Sequence, residues 1–441
     1  MHFSNRLVAL AGTILLASKA AQAKYQLDTT YDTTNFFDQF DFFTQPDPTK
    51  GFVEYVDGQT ANKEGLAGYS KGGIYMGVDY KTVNPANGRK SVRVTSKKAF
   101  TRGLFIADIL HMPGSICGSW PAYWMFGPNW PGSGEIDIIE GVNAQTKNAV
   151  TLHTSPGCTV SNTGTMSTTK FASANCGAAG DSAGCGQQTA DNQNYGDGFN
   201  TIGGGVYALQ WTSEQISVWF FPRSKIPQDI NSQNPTPQNW GQPIARFVGG
   251  DSCSIDKNFA NHNIVFDITF CGTWAGNANV WGSDKECSAL APTCQQYVSN
   301  NPQAFADAHW VIKSINVYNE SPDGGSPSQS APLPSASKVL TLVPDATAKP
   351  QTTFPPPLGT TLTVQPTQAV RQKGDGQVWN GQPQQKQPQQ SQPQQKQQQQ
   401  KQSLDSSNTA PKNPWNGQPW NGQSWNARRR LNAILASIYG S

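Results

Sequence analysis

The chain has 441 residues and a formal net charge of +3, with 14% of its residues charged, against roughly 25% in an ordinary soluble domain. So sparse and balanced a charge excludes both the basic footprint of a nucleic-acid binder and an acidic shield. Polarity comes instead from Asn, Gln, Ser, Thr and Gly beside 13 Trp, a mixture suited to an uncharged, hydroxyl-rich ligand.

In chain order, the first element is a secretory signal over residues 1–23. Arg6 gives a positive start, an apolar run follows from Leu7 to Ala17, and Ala21-Gln22-Ala23 is a small-residue cleavage site. The run is shorter than the roughly 20 residues that span a bilayer, and no later stretch reaches that length, so no membrane partner is expected. From Lys24 to about position 320 the pattern is β. "DGQTANKEG" (57–65) and "NPANGRKSV" (84–92) read as turns. "KSVRVTS" (90–96), "GVYALQW" (205–211), "QISVWFF" (215–221), "HNIVFDITF" (262–270) and "HWVIKSINVYN" (309–319) alternate with period two and are rich in β-branched and aromatic residues. Trp211 and Trp219, with aliphatic neighbours, are expected in the core. Many short strands between Gly/Pro-rich turns predict an all-β, antiparallel jelly-roll sandwich. At nearly 300 residues such a body needs long decorating loops, and the Gly-, Ser- and Asn-rich stretch 156–204 is the expected one.

Eight cysteines (117, 158, 176, 185, 253, 271, 287 and 294) form an even set with no paired C-x-x-C spacing, so disulfides rather than zinc are expected. On the order of a hundred pairings are open. Asn319-Glu320-Ser321 is a glycan acceptor sequence. Beyond it, residues 321–441 turn Pro/Ser/Thr-rich and then Gln-rich, lack the apolar content to offset ordering entropy, and are expected to be a disordered tail. "WNGQP" recurs there at 379 and 415 and "WNGQS" at 420. Two readings stand for these units: stacking on a wall polymer, or simple duplication. The terminal "LNAILASIYGS" is a poor hydrophobic tail for a lipid anchor.

The densest chemistry lies in "GEIDIIEG" (134–141), three acids in six positions separated by isoleucine. On a strand Glu135 and Asp137 share a face, whereas regular alternation would send Glu140 into the opposite, apolar one. One β-bulge, at Ile138 or Ile139, restores the parity and puts all three acids on one side. Like charges side by side cost about 0.2–1 kcal/mol per contact, which an ordinary half-wet strand would avoid by interposing Thr or Lys. Chemistry can use the repulsion. Two glutamates leaning together across this span reach a carboxyl separation of about 5–5.5 Å, that of a retaining glycosidase. Asp137 between them can hydrogen-bond one Glu and keep a neighbour protonated, as a general acid requires. Calcium fits less well, since an isoleucine-spaced strand offers few of its 6–8 oxygen ligands. No metal or cofactor is expected.

These residues resemble a known pattern. "GSWPAYWMFGPNWPGSGEIDIIEGVN" (118–143) is similar to the active-site strand of glycoside hydrolase family 16, in its laminarinase-like branch with the bulged E-x-D-x-x-E motif. Residues 91–127, "TLHTSPGC" (151–158) and "FCGTWAGN" (270–277) resemble its fungal secreted members. The resemblance spans about residues 30–318 and implies a jelly-roll sandwich with a concave cleft that hydrolyses β-1,3- or β-1,3/1,4-glucans internally with retention. It makes Glu135 the nucleophile, Glu140 the general acid/base and Asp137 the helper. Trp130, His153 and Trp274 become cleft residues. Independently, indole faces suit the flat C–H faces of pyranose rings, so Trp120 and Trp124 are substrate-binding candidates that could equally be core. The expected arrangement is a monomeric, secreted endo-β-glucanase, with residues 1–23 as signal, 24–320 as catalytic domain and 321–441 as tail, and with β-glucan as its partner. A transglycosylase and a non-catalytic glucan-binding jelly roll are the alternatives.

Overall fold

A computed structural model describes residues 24–321 except 71, 178–183 and 233; the segment expected to be a signal (1–23) and the expected tail beyond 321 lie outside the described residues. In chain order the strands are β1 (Lys24–Tyr31), β2 (Phe40–Phe42), β3 (Val53–Tyr55), β4 (Ala67–Ser70), β5 (Gly73–Gly77) and β6 (Arg89–Ser91). They continue as β7 (Arg93–Phe100), β8 (Gly103–His111), β9 (Ser119–Phe126), β10 (Glu135–Glu140), β11 (Ala149–His153) and β12 (Lys170–Phe171). The last six are β13 (Cys185–Gln188), β14 (Gly205–Trp211), β15 (Gln215–Pro222), β16 (Ala245–Val248), β17 (His262–Phe270) and β18 (His309–Ser321).

Two eight-stranded sheets stack. One runs β16-β15-β14-β8-β18-β5-β4, with β1 joining β18 beside β5; the other runs β12-β13-β11-β10-β9-β17-β7-β2. Every pairing in both is antiparallel, as a jelly roll requires. Alternation decides what lies between them. From β17, Ile264, Phe266, Ile268 and Phe270 point inward to meet Tyr207, Leu209 and Trp211 of β14 in the main core. The other side of β14 is not wet. Val206 and Ala208 pack with Leu104, Ile106, Trp219, Phe221 and Trp240 in a second cluster, roofed by the segment around Ile226 and Ile230. Burial on both faces explains why "GVYALQW" is nearly all apolar. Trp211 and Trp219 are both buried, as expected.

Two expectations from the sequence change. The stretch 57–65 contains a short helix, Gly58–Lys63, because the Asp57 side chain accepts from the Thr60 N–H and caps it. The region 156–204 is more than loop: β12 and β13 extend the second sheet past β11, and a short helix covers Gly196–Thr201. All eight cysteines pair, as 117–287, 158–253, 176–185 and 271–294. The first and last fasten the short helices between β17 and β18 to β9 and β17. Asn319 of the acceptor sequence is exposed on β18.

Candidate active site

β10 pairs with β9 through a register shift: Glu135 faces Phe126, Ile136 faces Met125 and Asp137 faces Trp124, after which Ile139 faces Tyr123 and Glu140 faces Ala122. Ile138 is therefore the extra residue. Since Ala122, Trp124 and Phe126 lie two apart on β9, their partners Glu140, Asp137 and Glu135 share the face turned away from the core. Ile136 and Ile139 lie opposite Met125 and Tyr123 and are fully buried. A bulge leaves backbone groups without ladder partners. Here the buried Asn148 serves both: its Nδ2 donates to Ile138 O at 2.7 Å and its Oδ1 accepts from Glu140 N–H at 2.9 Å. Asn148 is held in turn by the side chain of Asn194, which accepts its N–H at 3.0 Å.

Each acid has a distinct setting. Glu140, half-buried, accepts from Trp120 Nε1 at 2.9 Å. Trp120 itself is buried edge-on against Trp274, with centroids 5.4 Å apart at 89°. These two indoles thus sit in a small cluster with Val142, Ala275 and Val280, apart from the main core. Glu135 and Asp137 are buried and face β11, where His153 lies directly opposite Glu135. His153 Nε2 stands 3.3 Å from Asp137 Oδ2 and 3.9 Å from Glu135 Oε1.

Trp130 lies half-buried in the turn leading into Glu135, as its Pro/Gly flanks predict. That turn is pinned from behind. Gly127 N–H donates to Gly134 O at 3.1 Å, and Gly134 has φ +80° with Phe259 so close that a Cβ would collide at 2.4 Å. Only glycine fits there. His262 of β17 bonds Ser133 O at 2.6 Å. Burial lowers its imidazole to about 4, so at neutral pH it is uncharged and donates from Nε2.

Trp124, half-buried beside the acids, is held from several sides. Phe126 stacks on it at 4.9 Å and the Arg93 guanidinium lies 5.0 Å from its ring. The same guanidinium is 4.5 Å from the Phe43 ring, and Trp124 Nε1 donates to Asp267 Oδ2 at 3.3 Å. Asp267 opposes Ala122, and Glu140 opposes Ala122 from the other side, so one row across the sheet reads Glu140, Ala122, Asp267, Arg93. Burial pushes the Asp267 carboxyl up to about 7; Arg93 opposes that rise, while Asp47 and Glu135 add to it. The sequence reading missed Asp267 and Asn148. An acid alternating with Val265 and Thr269 in "HNIVFDITF" was a signal for the first; nothing local marked the second.

The five groups Glu135, Asp137, Glu140, Trp120 and His153 thus converge on one outward face. Comparisons with known proteins bear on the family and the fold. A family model described as "XgeA-like, catalytic GH16 domain" matches residues 40–318. An endo-1,3(4)-beta-glucanase of Arthroderma benhamiae is 43% identical over 325 residues, 72% of this chain and 70% of its own. A probable endo-1,3(4)-beta-glucanase of Neosartorya fischeri is 44% identical over 318 residues, 70% of this chain but only 48% of its own length. Among solved structures, laminarinase 16A of Phanerochaete chrysosporium, holding β-glucans in donor and acceptor sites, superposes with TM-score 0.63 at 40% identity, covering 67% of this chain and all of that one. An elongating family 16 β-1,3-glucosyltransferase does so with TM-score 0.62 at 42% identity over the same shares. With its β-jelly-roll sandwich and its bulged acidic strand, the chain belongs to glycoside hydrolase family 16.

Proposed function

We propose that this protein is a secreted, monomeric, retaining endo-β-glucanase acting on β-1,3- or mixed β-1,3/1,4-glucans. Residues 24–320 form its catalytic domain, 1–23 a removed signal and 321–441 a tail outside the chemistry. The observation that carries this reading is the bulge at Ile138, which turns three acids to one face beside tryptophan and histidine. Four disulfides suit an oxidising compartment.

In the first step a Glu135 oxygen attacks the anomeric carbon, the glycosidic C–O bond breaks, and Glu140 gives its proton to the leaving oxygen. In the second, Glu140 takes a proton from water as the water oxygen attacks the same carbon and frees Glu135. Two inversions leave the configuration unchanged. Asp137, within hydrogen-bonding distance of His153, adds negative charge where the oxocarbenium-like transition state is positive. Trp130 and Trp124 offer apolar surface to the sugar rings. Trp120, with Trp274 against it, serves Glu140 through its N–H.

The test is incubation with laminarin, lichenan and xyloglucan, with product anomers followed by NMR. Glu135→Gln is expected to melt as the parent does and to lose reducing-end release from laminarin by on the order of 10³-fold or more. Near-normal turnover in that variant refutes the assignment. A second reading, transfer of the glycosyl unit to another glucan, is favoured by the likeness to the elongating glucosyltransferase. Products longer than the starting oligosaccharide would establish it. Binding without any turnover would favour a non-catalytic module.

A further inference from the structure

Behind the hairpin that joins β9 to β10 lies a buried histidine that takes no part in the proposed chemistry. Residues 127–134 form a small self-bonded unit. Asn129 N–H donates to Ser133 Oγ at 2.8 Å, Ser133 N–H to Asn129 O at 3.1 Å and Gly134 N–H to Pro131 O at 3.1 Å. Trp130 rides on this unit. Ser133 O bonds it to the segment entering β17, accepting from Ala260 N–H at 3.2 Å and from His262 Nε2 at 2.6 Å. His262 is a fixed donor. It is fully buried, stands opposite Phe100 of β7, and packs its ring against Trp211 and Phe259, with centroids 4.8 and 6.0 Å away.

The other ring nitrogen shows what the residue is for. A carbonyl only accepts, so Nε2 carries the proton and Nδ1 keeps a bare lone pair. Burial holds the ring in that uncharged form. Nδ1 is buried without a hydrogen-bond partner among the described residues, and an unpaired buried acceptor costs stability. A phenyl ring would fill the same space without that cost. Packing alone therefore does not account for an imidazole here, whereas the bond to Ser133 does. Side chains that give up stability in this way are expected where function demands them.

We propose that His262 is a positioning residue for substrate binding: it seats the 127–134 hairpin on β17 through Ser133 and thereby fixes the face that Trp130 presents to the glucan. The proposal rests on the reading of Trp130 as a sugar contact. Glu135 depends on the seat far less, since it pairs with Phe126 on one side and His153 on the other. Without the imidazole donor Ser133 O still has the Ala260 N–H, so the fold survives while the hairpin loosens. Trp130 then samples more orientations, and sugar binding has to order it again. That loss falls on binding shared by ground state and transition state, which raises KM and spares kcat.

The test compares the full-length parent with His262→Phe and His262→Gln on laminarin at neutral pH. Phe keeps the packing and drops the donor, while Gln carries amide N–H donors at a similar reach. His262→Phe is expected to fold, to raise KM roughly threefold to tenfold and to leave kcat within about twofold of the parent. His262→Gln should recover most of the lost KM. Trp130→Ala should raise KM by itself, and adding His262→Phe to it should raise KM no further, because both act along one path. Additive losses, a fall in kcat with KM unchanged, or a Gln variant no better than Phe overturn the proposal. Amide hydrogen exchange across 127–134 needs no turnover. It should quicken in His262→Phe and slow again in His262→Gln, and an unchanged pattern in an active protein overturns the seat. A parent inactive on every glucan overturns instead the glucanase reading on which the proposal rests.

Discussion

Trp120 and Glu140 show how one donor fixes an acid. The indole N–H reaches Glu140 Oε1 at 2.9 Å, and Trp274 braces the ring edge-on. Trp120→Phe keeps the apolar contact and deletes only the donor. A hydrogen bond to a charged group contributes about 1.5–3 kcal/mol, so kcat/KM on laminarin should fall roughly 10–100-fold while the melting temperature moves little. A loss confined to KM would instead make Trp120 a sugar contact. At this scale the sequence was readable where like side chains cluster locally, as in the shared face of Glu135, Asp137 and Glu140. It was silent where partners come from afar: Asp267 meets Trp124 across 143 positions, and alternation alone gives an acid a face without naming its neighbour.

At the scale of the element, the acidic strand works because its irregularity is supported. Asn148 accepts from Glu140 N–H and donates to Ile138 O, the two groups that the bulge withdraws from the ladder. Asn148→Ala leaves both buried without that partner, at a cost of about 1–3 kcal/mol each. The variant should melt several degrees lower and lose more in kcat than in KM, because Glu140, the proposed acid/base, moves while the aromatic surfaces stay. Unchanged kcat would mean that the bulge holds itself. The need for a bulge could be read from the parity of Glu135 and Glu140. Its position at Ile138 could not, since either isoleucine satisfies the count and the choice lies in the pairing with β9. The helix at Gly58–Lys63 was hidden likewise, because its composition is that of a turn and only the Asp57 cap tips it.

For the whole molecule, strand periodicity recovered β14, β15, β17 and β18 almost to the residue, whereas the disulfide map needed the fold, since spacing says nothing of which loops meet. Two buried groups then set how stability follows pH. His262 is lowered from 6.5 to about 4, chiefly by burial. Between those values the unfolded chain takes its proton and the fold does not, so stability is lost as pH falls. Asp267 is raised from 3.8 to about 7, again chiefly by burial. There the fold holds the proton that the unfolded chain releases, so stability is lost as pH rises from near 4 to 7. From about pH 4 to 6.5 the two slopes cancel, and calorimetric melting should be nearly level. Asp267→Asn should uncover a rise in melting temperature with pH across that window, and His262→Phe a decline. Parallel profiles in parent and variants would show that neither group titrates as described. Trp124 is gripped by Phe126, Arg93 and Asp267 before any sugar arrives, so its rotational freedom is surrendered during folding. Oligosaccharide capture should therefore register in a titration calorimeter as heat released against only a slight ordering penalty.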